Sequence, residues 1–167
     1  MGQILIVHNG PMPTTAIMPS VATGTAIITL LQLKPFNTCR IIEWGIQFDG
    51  YSAAAPVAVE LIDTGTVFGT VTAYADADIM KYDGADGAVA SIAGLTLGTT
   101  ASGYTASAEG TITATKVFDH QLIAPSAQYV KQFPLGREPK LIIGNALRIR
   151  VKAAATVNAN CYVVLEF

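Results

Sequence analysis

Residues 40–50 read RIIEWGIQFDG, and the large apolar side chains of Ile42, Trp44, Ile46 and Phe48 alternate with Glu43, Gly45, Gln47 and Asp49. A two-residue period is what a strand needs when one face is buried and the other wet, because successive side chains leave opposite sides of the pleat. The same period returns at residues 147–152 and 160–167, and no stretch of comparable length carries the 3.6-residue period of a helix. The chain therefore reads as all-β. With 167 residues it has room for one domain with a real core.

Turn signals divide the rest. Strands are predicted over residues 25–34, 40–48, 57–62, 67–73, 110–118, 128–133, 141–143, 147–152 and 160–167, punctuated by Pro35, Asp49-Gly50, Thr64-Gly65 and the Pro134, Gly136, Pro139 series. Trp44, Phe48, Leu147, Ile149, Val163 and Leu165 are the expected core. Residues 76–103 lack periodicity and are expected to form a long excursion with at most a short strand or a helical turn near residues 78–82. Residues 1–23 read differently again. A short apolar strand at 4–7 precedes Pro11, Pro13 and Pro19, which exclude a continuous helix, so this stretch is read as an extended N-terminal arm before a domain spanning 24–167. Such an arm lies either on a neighbouring subunit or on its own domain. Eight or nine strands with uneven loops and a long mid-chain crossover suit a single-domain jelly-roll-like β-sandwich better than an up-and-down barrel. An immunoglobulin-like sandwich is the runner-up, but Trp44 follows Cys39 too closely for that fold.

Composition bears on partners. Charged residues make up only 13% of the chain and apolar ones 51%, with a mean hydropathy of +0.44, whereas globular proteins average roughly 25% charged residues. Large contiguous apolar surface on a soluble chain marks a binding face, so the composition reads as that of a subunit covered by its neighbours. The net charge of −2 argues against nucleic acid or anionic lipid as partner, and no segment is long and apolar enough for a membrane span. Arg148, Arg150 and Lys152 share one strand face, read here as solvated cations that guard an edge. No basic, apolar leader precedes the domain, so synthesis and folding in the cytoplasm are expected. Cys39 and Cys161 read as buried free thiols.

No catalytic set emerges. Of the two histidines, His8 lies in the arm, and His120 directly follows Asp119, so in a strand the two point to opposite faces. Neither a Gly-x-Ser-x-Gly elbow nor a phosphate-cradling Gly-x-x-x-x-Gly-Lys occurs. The acidic pairs Asp76/Asp78 and Asp83/Asp86 lack the ligand order of a calcium loop. The reading is a non-enzyme with no cofactor and no metal. Loop tyrosines Tyr51, Tyr74, Tyr82 and Tyr104 serve equally as sugar platforms or as protein-interface anchors.

The phrases EWGIQFDG (43–50), VELID (59–63), YTASAEGTITATKVFD (104–119), YVKQFPLGREP (129–139), LRIRV and NANCYVVLEF together resemble small β-rich virion proteins of tailed bacteriophages, of the jelly-roll, capsid-associated or decoration type. The likeness runs from about Ile42 to Phe167 and leaves out residues 73–103. It implies a structural subunit of the virion, assembled in the host cytoplasm. Such a subunit self-associates, with a three-fold as one candidate symmetry, and binds the major capsid protein or another virion protein. Contacts are expected from the arm (Ile4, Ile6, Met12, Ile17), the excursion (Tyr82, Tyr104) and the 129–139 turn (Tyr129, Phe133). A glycan-binding module and a self-assembling tube or filament subunit are the competing readings.

Overall fold

The computed structural model describes residues 3–50, 55–81 and 94–167. Among these, the strands are β1 (Ile4–His8), β2 (Val21–Thr23), β3 (Ile28–Leu33), β4 (Cys39–Phe48), β5 (Val57–Asp63), β6 (Thr70–Ala73), β7 (Met80–Lys81), β8 (Gly103–Ala108), β9 (Lys116–Ile123), β10 (Gln128–Gln132), β11 (Lys140–Leu141), β12 (Leu147–Lys152) and β13 (Val157–Glu166). No α-helix occurs among the described residues; Asp76–Asp78 forms a single 3₁₀ turn.

The strands build two antiparallel sheets packed as a sandwich. One runs β10-β4-β13-β1-β7, with β11 also on β4 and β2 on β13; the other runs β6-β8-β3-β12-β5-β9. Alternation directs one face of each inward. Leu5 and Val7, Trp44, Ile46 and Phe48, and Cys161, Val163 and Leu165 come from the first sheet; Leu31, Leu33, Val59, Leu61, Leu147 and Ile149 come from the second. Each such aliphatic residue contributes about 1.5–3 kcal/mol by leaving water. All six expected core residues are buried.

Three sequence readings need correction. Ile42 does not share the face of Trp44. The β4–β13 register steps from Glu43↔Val164 to Ile41↔Leu165, so Ile42 is the extra residue of a bulge and Ile41 takes the core position. The strand expected over residues 110–118 starts later, as β9, and runs on through Asp119 and His120 to Ile123. Residues 103–108, where no strand is expected, form β8 directly after the excursion, and its Leu31↔Tyr104 and Gln32↔Gly103 pairs extend the second sheet. The short strand expected at residues 4–7 forms as β1 and lies on its own domain, the second of the two placements expected for this segment, paired on one side to β13 (Leu5↔Leu165, Val7↔Val163) and on the other to β7 (Ile6↔Met80).

The face of Arg148, Arg150 and Lys152 is also not a solvated row. β12 is an inner strand, and residues 67–69 and 109 lie across that face. Arg148 is fully buried; its Nη1 donates to Glu109 O (2.8 Å) and meets Glu109 Oε2 at 3.2 Å, while Nη2 donates to Val67 O (2.6 Å). Glu109 in turn accepts from Thr29 N and Thr29 Oγ1, both at 2.6 Å. Gln32 closes the other end: its Oε1 accepts from Gly69 N at 2.8 Å and its Nε2 donates to Gly69 O at 3.2 Å. Arg150 is paired with Glu60 on the neighbouring strand, and Lys152 alone of the three is exposed.

Both cysteines are free and buried. Burial pushes the Cys39 thiol up to about 12 and the Cys161 thiol still higher. The thiolate is the reactive form, so native protein at pH 8 should show no reaction with a soluble disulfide reagent. Addition of denaturant should then release both thiols, read as two equivalents by absorbance.

Candidate interaction surface

Chain breakers between β10 and β12 set up two rigid corners. Arg137 N donates to Pro134 O at 2.9 Å and Gly136 has φ +79°; Asn145 N donates to Ile142 O at 3.1 Å and Gly144 has φ +80°. A positive φ at the third residue is what a type II turn requires and what glycine supplies without strain. The second residue of each turn then points away from the chain. In the first turn it is Leu135, 95% exposed; in the second it is Ile143, 56% exposed.

The first corner is braced from below. Glu138 accepts from Gly136 N at 3.0 Å and faces Arg40 Nη1 at 3.9 Å. Those backbone donors, its own amide and that of Gly136, hold its carboxyl below the usual carboxylate range. Beside Leu135 lies an open depression of about 440 Å³, lined by Ile4, Ile42, Phe133, Pro134 and Leu135 together with the polar Gln132, Glu138 and Glu166. The bulge in β4 brings Ile42 to this surface. The second corner rests on the β3–β4 connection, where Gly144 N donates to Pro35 O at 3.0 Å, and exposes Ile142 and Ile143 on the same turn, with Phe36 exposed in the neighbouring loop. Fixed, solvent-facing aliphatic side chains next to a partly apolar hollow are the chemistry of a protein-contact face.

Of the residues expected to make contacts, Ile4 and Phe133 line this hollow together. Ile17 is 94% exposed in the 9–20 connection. Ile6 is half-buried within β1, and Met12 is half-buried, its N–H donating to Asp78 Oδ1 at 3.0 Å. Tyr104 packs on Tyr74 with ring centroids 5.3 Å apart. Tyr129 is a bracing group: its ring lies 5.5 Å from that of Trp44 and its hydroxyl donates to Asp119 at 2.9 Å. Tyr51, Tyr82 and the Asp83/Asp86 pair fall outside the described residues. Asp78 of the other acidic pair accepts from Met12 N and Ala75 N, and among the described residues no group of three or more His, Cys, Asp or Glu is placed to hold a metal. Asp119 points into the sandwich and His120 outward.

Leu135 was missed in the sequence, although Pro134-Leu135-Gly136 is the signature of a turn that displays its second residue. No protein-family model, curated protein or solved structure matches the chain.

Proposed function

We propose that this chain is a structural virion subunit of a tailed bacteriophage, a jelly roll that self-associates and caps or cements the capsid lattice. The observation that carries the reading is the rigid, exposed Leu135 corner beside the Ile4/Ile42/Phe133 hollow, in a chain with only 13% charged residues. Strand pairing supports the jelly-roll part. If the eight principal strands are counted in chain order (β1, β3, β4, β5, β9, β10, β12, β13), the first pairs with the last, the second with the seventh, the third with the sixth and the fourth with the fifth. One long antiparallel hairpin rolled into two sheets has that pairing. The class of lattice comes from the resemblance of the chain's sequence phrases to those of phage decoration subunits.

Many copies on a repeating shell turn modest single contacts into durable attachment. Replacing Leu135 by Asp places a charge in the contact and disturbs nothing beneath it, since the side chain is 95% exposed. L135D is expected to keep the wild-type melting temperature and to lose at least tenfold in affinity for shells of the encoding phage, measured by co-sedimentation. Unchanged binding by L135D would remove this face from the contact; no binding by the wild type would remove the reading itself.

A further inference from the structure

The partner that fits β10 is a second copy of the chain. Among the described residues β10 ends its sheet, pairing with β4 on one side only. Phe133 N donates to Ile42 O and Phe48 N donates to Ala127 O across that pair. Antiparallel ladders alternate, so the odd-numbered residues spend their backbone groups on β4, and Gln128, Val130 and Gln132 turn their N–H and C=O groups to the open edge. Natural edges are usually guarded by an outward lysine, a proline or a bulge. Here the one charged side chain of the strand is on the opposite face and paired: Lys131 Nζ lies 3.2 Å from Asp119 Oδ1, with its side chain 35% exposed. The outward row is the neutral Gln128, Val130 and Gln132, all exposed.

The strand is also complementary to itself. Gln128-Tyr129-Val130-Lys131-Gln132 has the same chemistry read from either end at its outward positions. We propose that two copies join β10 to β10 in antiparallel fashion about a two-fold axis at Val130, fusing their first sheets into one. In that register Val130 meets the partner's Val130, Gln128 meets the partner's Gln132, and Tyr129 meets the partner's Lys131. No like charges face each other. The outward backbone groups supply about six inter-strand hydrogen bonds, and a self-complementary patch closes with two copies. The seam names the self-contact that the proposed function calls for and rests on that reading for expecting a second copy. Its chemistry comes from the edge alone.

Because Val130 meets its own counterpart, charge substitution there gives a specific test. Wild-type protein should sediment, in analytical ultracentrifugation, as species with an even number of chains. V130K and V130E should each dissociate to half that size with unchanged melting temperature, since Val130 is 54% exposed and its amide is not spent on β4. Mixing the two variants should restore the wild-type size. Single chains at all concentrations, an assembly that survives both substitutions, or no recovery on mixing would each overturn the seam. Shell binding by V130K, followed separately by co-sedimentation, reports on the proposed function and not on the seam.

Discussion

Arg148→Ala is expected to destabilise the chain as much as truncating a large buried aliphatic of the core. The guanidinium is fully buried and joins three elements: its own β12, the Val67 carbonyl, and both the backbone and the carboxylate of Glu109. Truncation would leave those two carbonyls without their donor and Glu109, whose carboxylate also receives Thr29 from β3, without its counter-charge. Removing one partner of a buried ion pair costs about 3–5 kcal/mol, out of the 5–15 kcal/mol that holds a typical domain together. For a chain of this length that is a fall of about 10 °C or more in melting temperature. A double variant, R148M with E109Q, removes both charges and keeps an acceptor for Thr29, so it should recover part of the loss. If R148A melts within 2 °C of wild type, on the order of what a lone surface change would give, the covering segment contributes little to the fold.

The second large effect belongs to Asp119, which ties the two sheets together at their open side. Its carboxylate, with the side chain 4% exposed, receives Trp44 Nε1 (3.1 Å) from β4, the Tyr129 hydroxyl (2.9 Å) and Lys131 Nζ (3.2 Å) from β10, and Gln121 Nε2 (2.9 Å) from its own strand. Burial alone would raise its pKa. The hydrogen bonds from Gln121, Tyr129 and Lys131, with the Lys131 charge, outweigh burial and hold it below the ordinary carboxylate value. Burial and the same carboxylate push the Tyr129 hydroxyl up to about 12. A depressed folded pKa means the bonus is fully present above the unfolded value of about 3.9 and is lost as pH falls through the folded one. Asp119→Ala should cost about 3 kcal/mol at pH 7, because Trp44 and Lys131 lose their acceptor. The gap between variant and wild type, measured by urea denaturation, should narrow as the pH falls below about 4. A gap independent of pH would mean that the ionised carboxylate is not what joins the sheets.

Much of the sandwich is local in origin and so was legible in the sequence. Trp44, Ile46 and Phe48 carry their alternation unaided, as do Leu147, Ile149 and Val151 in β12. What escaped depends on residues far away in the chain. The bulge at Ile42 exists because β13 pairs Leu165 with Ile41. The strand of β1 is legible, but which of its two possible placements it takes is set by its partners, the last strand of the fold and the short β7. β8 is built of Gly, Tyr, Thr, Ala and Ser, too weak a pattern to announce a strand until β3 and β6 flank it. Arg148 reads as a surface cation in any window of its own strand; only the returning segment at Val67 and Glu109 buries it. The contact face is divided in the same way. Ile4 and Phe133 were named from composition and position, and Leu135 was readable from its turn, but their meeting with Ile42 needs the completed sheet.

The claim beneath these details is that the exposed aliphatic corners meet a repeating protein shell. Quantitative mass spectrometry of gradient-purified phage particles from lysates that contain this chain addresses it directly, with the major capsid protein as the internal standard. The account predicts this chain at a fixed ratio to the capsid protein, in many copies per particle, and retained through washing. Particles that carry none of it, while the infected cell contains it in quantity, would contradict the account.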